Sequence, residues 1–228
     1  MSGRCNGNRG RPLFNRNTLI VLIVALAAAL GLYAGSKLLS PSPRPDAAAL
    51  TAVTLFAQPR ALPDFELRQS DGTQLVSGEL KGHWTLVFLG FVSCPDVCPT
   101  TLVELAQAQQ QWQSIPESLR PRVLFVSVDP DRDTPARAGE YAHAFHKDTL
   151  AATADVPALE RFATALGFVF QKVPGQGFEH NPDDYSVDHS AAIAVLDPEG
   201  RQAGLIRPPL QPAAIAHDLQ LLTETTAP

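Results

Sequence analysis

The stretch "WTLVFLGFVSCPDVCPTTLVELAQAQQQW", Trp84 to Trp112, decides the fold. Its first eight residues are a continuous apolar run, the pattern of a strand buried on both faces. Its last thirteen repeat apolar side chains at Leu102, Leu105, Ala106 and Trp112, a helical spacing. Between them lie Cys94 and Cys98, two of the three cysteines in the chain, separated by three residues. A cysteine pair at the end of a buried strand and the start of a helix is the thioredoxin-like placement.

The prolines set an expectation for the helix start. Pro99 would disrupt a helix that began at Cys94, so the sequence predicts a helix beginning at Pro99, with Cys98 near its N-cap. Both thiols would then lie by the positive end of the helix dipole, which favours thiolate. Thiolate serves disulfide exchange and soft-metal binding alike, so the pair reads as a redox couple, a pair of metal ligands, or both. A structural disulfide is the third reading, although so short a loop gains little by closure.

Outward from this stretch, strands alternate with helices. "PDFELRQSDGTQLV" (63–76) carries a hairpin signal at Asp71-Gly72. "RVLFVSVD" (122–129) is a second buried strand, and Thr134-Pro135 opens a helix as N-cap and first residue. "VPALERFATALG" is a helix ended by Gly167, followed by the short strand "FVFQKV". "SAAIAVLD", the turn "DPEG" and "RQAGLIR" form a late hairpin, and "QPAAIAHDLQLLTE" closes as a helix. This order predicts an α/β domain of thioredoxin-like fold, a central mixed sheet flanked by helices.

The front of the chain is different. Arg4, Arg9, Arg11 and Arg16 precede the apolar run Leu19 to Gly35, and no acidic residue occurs before Asp46. The run is long enough to cross a hydrocarbon core of about 30 Å. Arginines on its N-terminal side place that end in the cytoplasm. The organisation expected is a basic cytoplasmic segment 1–17, one transmembrane helix 18–39, a Pro/Ala-rich linker 40–62 beginning "SPSPRP", and an exported domain 63–228. A cleaved signal peptide ending near Ala27-Ala28-Ala29 is the alternative. Cys5 precedes the apolar run, which argues against a lipoprotein signal.

Of 18 basic residues, five lie in residues 1–40, leaving 13 against 23 acidic ones and a charge of −10 on the remainder. Such a domain repels nucleic acid and favours cations or basic partner surfaces.

Two thiolates rarely suffice for a stable metal site, so the six histidines are the candidate third ligands. His143 and His146 lie on one helical segment, His217 on the last, and His83 at a strand entrance, all ordinary places for an imidazole. His180 and His189 stand in the loop "GQGFEHNPDDYSVDHS" that enters the late hairpin, the loop that in a thioredoxin-like layout faces the cysteines. His189 is the better placed of the two.

Three motifs in order, "CPDVCP", "VSVDPDRDTP" and "DYSVDHS", resemble the Sco/SenC family of membrane-anchored copper-binding proteins, over about Pro63 to Thr223. The resemblance implies a thioredoxin-like fold and a copper site of Cys94, Cys98 and His189, with Cys94 and Cys98 also a redox-active pair. It further implies a role in assembling the binuclear copper centre of cytochrome c oxidase. The expected partners are therefore the oxidase's copper-binding subunit and other periplasmic copper carriers, and the expected location is a bacterial inner membrane with the C-terminal domain in the periplasm. A Cys2His set suits Cu(I) and Cu(II), whereas structural zinc usually takes four protein ligands. "DPDRDTP" reads as a helix cap and loop former, with Asp129 or Asp133 supporting the site from behind. Asp183, Asp184 and Asp188 read as a cation-guiding or solvated acidic loop. Two functions stay open: a chaperone handing copper to its target, and a thiol-disulfide oxidoreductase acting on the target's copper-ligand cysteines. A peroxidase is a distant third.

Overall fold

The computed structural model describes residues 16–39 and 49–226. The chain divides into two units, 1–42 and 43–228. In the first, helix α1 (Arg16–Leu39) forms over the apolar run. Its side chains are described only from 17 to 33 and at Gly35, and among the described residues no helix is long and apolar enough to cross a membrane. The expected span is therefore not established by the fold. The basic segment before it lies outside the described residues, as does the whole "SPSPRP" stretch.

The second unit is built on an eight-stranded mixed sheet in the order β1-β10-β9-β4-β5-β6-β2-β3. In chain order the strands are β1 (Val53–Arg60), β2 (Glu66–Gln69), β3 (Gln74–Val76), β4 (Thr85–Gly90), β5 (Arg122–Ser127), β6 (Leu150–Thr153), β9 (Ile193–Leu196) and β10 (Gln202–Ile206). A separate two-stranded ribbon joins β7 (Phe170–Pro174) to β8 (Tyr185–His189). The helices are α2 (Val97–Gln111), α3 (Pro135–Phe145), α4 (Val156–Ala165) and α5 (Pro212–Thr226).

Every residue of β4 and of β9 is buried. Successive side chains in a strand point to opposite faces, so the middle of the sheet is covered on both. Leu86, Val87, Phe88 and Leu89 have no exposed surface, each worth about 1.5–3 kcal/mol of burial. β4 runs parallel to β5 and antiparallel to β9, and β5 runs parallel to β6. The C-terminal ends of β4 and β5 thus come side by side, with Gly90 paired to Ser127. The cysteine loop and the "DPDRD" segment leave from these two ends.

The hairpin at Asp71-Gly72 forms as expected: Asp71 accepts from the Thr73 amide and hydroxyl, and Gly72 takes φ 86°. Thr134 caps α3 by accepting from the Arg137 amide, and Pro135 stands in the first turn. Gly167, at φ 72°, follows the end of α4.

Two expectations are corrected. The linker does not run to residue 62, because residues 53–60 form β1, paired antiparallel with β10 at the sheet edge. Pro59 is tolerated there because an edge strand leaves one side unpaired. What fixes β1 is distant in sequence: Asp218 on α5, fully buried, accepts from the amides of Thr51, Ala52 and Val53 at 2.9, 2.7 and 2.9 Å. Secondly, α2 begins at Val97, two residues before the expected start. Pro99 is then third in the helix, where its missing N–H has no intrahelical acceptor to lose.

Candidate metal centre

Cys98 sits in the first turn of α2 and is fully buried. The absence of a side chain at Gly90 makes this possible. A Cβ there would lie 2.8 Å from Phe125 Cε2, 3.1 Å from Cys98 Sγ and 3.2 Å from Phe88 Cε1. Cys94 is partly exposed, and its amide donates to the Phe91 carbonyl at 3.2 Å in the turn that leaves β4. Both cysteines are free thiols. The Cys98 amide donates to Cys94 Sγ at 3.4 Å, so the helix start turns one of its spare N–H groups onto the first sulfur.

His189 is the last residue of β8, not part of a loop as the sequence suggested, and pairs with Phe170 across the ribbon. Its Nε2 lies 3.5 Å from Cys98 Sγ. Its Nδ1 lies 3.2 Å from the Ser190 carbonyl, which can only accept, so Nδ1 carries the proton and Nε2 presents a lone pair to the sulfur. The ring stands edge-on to Phe88 and Phe91, at centroid distances of 5.9 and 6.2 Å. Burial pushes the imidazole pKa down, against smaller upward effects from the Ser190 carbonyl and Asp188. A neutral imidazole is the form that binds metals.

The thiol chemistry departs from expectation. Burial drives the Cys98 pKa up, reinforced by Cys94 and the charge of Asp133. The helix dipole that predicted a thiolate is outweighed, because the sulfur lies in the core. In the metal-free protein Cys98 is a thiol whose proton faces His189 Nε2. Among the described residues no group of three His, Cys, Asp or Glu side chains is arranged to hold a metal ion as it stands. A site made of both sulfurs and the imidazole therefore requires the Cys94 side chain to turn.

The "DPDRD" segment supports both halves of this centre. Asp133, buried, accepts from the Val92 amide at 2.8 Å and the Ser127 hydroxyl at 2.6 Å, holding the cysteine loop to the end of β5. Burial raises its carboxyl pKa. Asp129, also buried, accepts from Tyr185 Oη at 2.6 Å and from Arg132 Nε at 2.5 Å. Arg132 Nη1 donates to the carbonyls of Tyr185 and Asp183, at 3.0 and 3.2 Å. Its guanidinium stacks 3.7 Å over the Tyr185 ring and 5.8 Å from that of Phe91. One cation thus joins the strand that carries His189 to the aromatic residue at the start of the cysteine loop.

Of the other histidines, His83 binds the Arg120 carbonyl through Nδ1 at 2.9 Å and Arg122 through Nε2 at 2.7 Å, a structural role. His143 and His180 are exposed, and neither is in the centre. Asp184 is spent on its own loop, accepting from the Gly177 amide at 2.6 Å, while Asp183 and Asp188 are exposed. Arg132 and Tyr185 were not singled out by sequence reasoning. Their signal was the three-residue spacing of Asp129 and Arg132, but the Tyr185 partner depends on the fold.

The family model for SCO1/SenC matches residues 55–224. A Stutzerimonas stutzeri chain described as a copper-binding protein is 34% identical over 205 residues, covering 88% of this chain and 92% of that one. The solution structure of apo Sco1 from Thermus thermophilus is 35% identical with a TM-score of 0.67, covering 77% of this chain and 99% of the other. The structure of Bradyrhizobium japonicum ScoI with copper bound is 30% identical with a TM-score of 0.63, covering 71% and 98%.

Proposed function

The chain belongs to the SCO1/SenC family, and on that premise we propose that it is a copper chaperone that carries the ion on Cys94, Cys98 and His189 and serves the assembly of the binuclear copper centre of cytochrome c oxidase. The observation that supports the ligand set most directly is the 3.5 Å approach of His189 Nε2 to Cys98 Sγ, with Nδ1 engaged by a carbonyl. Two soft thiolates favour Cu(I), and the imidazole tolerates either oxidation state. Copper is the cargo: Cys98 and His189 are in place before it arrives, and Cys94, partly exposed, is the ligand free to turn toward the ion or toward an acceptor protein. Release proceeds by ligand exchange, one protein ligand replaced at a time by one from the acceptor.

The anchor completes the reading. A helix over residues 16–39 preceded by arginines fits a single-pass inner-membrane protein with its copper domain in the periplasm. The partners that follow are the oxidase's copper-binding subunit and periplasmic copper carriers.

The pairing of a partly exposed free thiol with a buried one also supports thiol-disulfide exchange. Cys94 as thiolate attacks a target disulfide and forms a mixed disulfide. Cys98, losing its proton, then attacks Cys94, and the target leaves as a dithiol while this pair is oxidised by two electrons.

Anaerobic Cu(I) titration of the reduced and oxidised chain, with His189→Ala beside it, tests the assignment. The expected result is one equivalent bound by the reduced wild type and none by the oxidised form. His189→Ala binds more weakly by at least the about 10–100-fold typical of losing even a ligand's supporting partner, yet still forms the Cys94–Cys98 disulfide. Equal affinity with and without His189 rejects the ligand set and leaves dithiol exchange.

A further inference from the structure

Tyr185 opens β8, the strand that ends in His189, and more contacts converge on it than a buried ring needs. Its Oη donates to Asp129 Oδ1 at 2.6 Å, inside the core where Asp129 has no exposed surface. Two cations bear on its ring: the Arg132 guanidinium at 3.7 Å from the centroid and Lys172 Nζ at 4.6 Å. Its carbonyl accepts from Arg132 Nη1 at 3.0 Å. Lys172, on β7, is itself paired with Asp131. Three residues of the segment after β5, Asp129, Asp131 and Arg132, thus grip the ribbon at one place. That grip matters because the ribbon is a sheet of its own, and among the described residues no ladder hydrogen bonds tie β8 to the main sheet. Alternate side chains of a strand share a face. Tyr185 and Val187 are buried, His189 is half-buried, and Ser186 and Asp188 between them are exposed, so Tyr185 and His189 lie on one face, roughly 13 Å apart along the strand.

We infer that Tyr185 is the positioning residue for His189: its hydroxyl on Asp129 and its ring under Arg132 and Lys172 fix one end of β8 and so the depth at which His189 Nε2 meets Cys98 Sγ. The other end of the strand has only packing to hold it, with the imidazole edge-on to Phe88 and Phe91. Aromatic edges let a ring slide; a charge-assisted O–H to carboxylate bond does not. Asp129 accepts from Tyr185 through one oxygen and from Arg132 through the other, so a phenylalanine at 185 would leave Oδ1 without its donor. Groups that touch no metal but orient a ligand are worth nearly as much to a site as the ligand's own placement.

This rests on the copper reading, and the test separates the two. The full chain in mild detergent is compared as wild type and Tyr185→Phe, which keeps the ring and deletes only the hydroxyl. The expected result is a Cu(I) affinity lower by about 10–100-fold and a weaker nitrogen coupling in the Cu(II) electron paramagnetic resonance spectrum. Amide exchange at residues 187–190 of the metal-free chain becomes faster, while the Cys94–Cys98 disulfide forms at the wild-type rate, since neither sulfur rests on Tyr185. Lys172→Met, at a partly exposed position, lowers the affinity by about two- to fivefold, and Lys172→Arg restores it. Wild-type affinity and an unchanged nitrogen coupling in Tyr185→Phe overturn the inference. So does disulfide formation slowed in step with the affinity, which would mark a general loosening of the domain. A wild-type chain that takes up no copper overturns the functional reading; faster exchange at residues 187–190 of Tyr185→Phe would then still uphold the hold on His189, and exchange equal to wild type would overturn that too.

Discussion

Cys98 and His189, 91 residues apart in sequence, meet with Sγ 3.5 Å from Nε2 at the junction of the main sheet and a two-stranded ribbon. The sulfur arrives on the first turn of α2 and the nitrogen on the last residue of β8. Burial holds the thiol protonated and the imidazole neutral, so on the proposed ligand set the one proton that metal must displace from the pair is that of Cys98.

Copper uptake should therefore release protons. Above about pH 6.5 the depressed His189 is already neutral and does not compete. Cys98, with its pKa raised by burial, stays protonated through the neutral range, so its proton leaves on binding. Cys98 alone contributes about a tenfold gain in Cu(I) affinity per pH unit as pH rises. Competition titrations between about pH 6.5 and 8.5 check this, and a flat profile contradicts it.

Asp218→Ala should destabilise the domain by about 3 kcal/mol or more, since three amides lose their shared acceptor. A fragment starting at Pro63 removes β1 and deprives the same carboxylate of its three amide donors. It should unfold at markedly lower urea concentration than one starting at residue 49, and equal midpoints would show that β1 is dispensable.

Asp133→Ala frees the Val92 amide and the Ser127 hydroxyl together. The expected loss is about 10–100-fold in copper affinity, with the cysteine loop less protected from amide exchange. Unchanged exchange in residues 91–96 would assign Asp133 to the core alone.

Gly90→Ala should cost about 1–3 kcal/mol, because its methyl would collide with Phe125 and press on Cys98 Sγ. Its diagnostic is faster alkylation of Cys98 by a neutral thiol reagent, and protection equal to wild type would mean that the sheet yields instead.

How far the sequence disclosed this depends on the range of the interaction. The buried run into "CPDVCP", the Asp71-Gly72 hairpin and the Thr134-Pro135 cap are written in adjacent residues, and all three formed. β1 was hidden because "VTLFAQPR" is a half-exposed edge strand containing proline, and its anchor lies 165 residues away in Asp218. The start of α2 was misjudged because a proline third in a helix costs little. Thiolate character was misjudged because local sequence shows a helix dipole but not the depth at which Cys98 lies. His189 was picked out by its place before the late hairpin and by its motif, and the fold brings it beside Cys98, while Arg132 acts through partners that only the fold brings near.

The Arg132 guanidinium, wedged between Phe91 and Tyr185 and fastened to Asp129, sets the spacing between two walls of the centre through side-chain contacts. A cradle shaped in advance loses little freedom when filled and regains little when emptied. On the proposed ligand set, traffic through it would be governed by the partly exposed sulfur of Cys94 and by the ligands a receiving molecule offers, not by melting of the carrier.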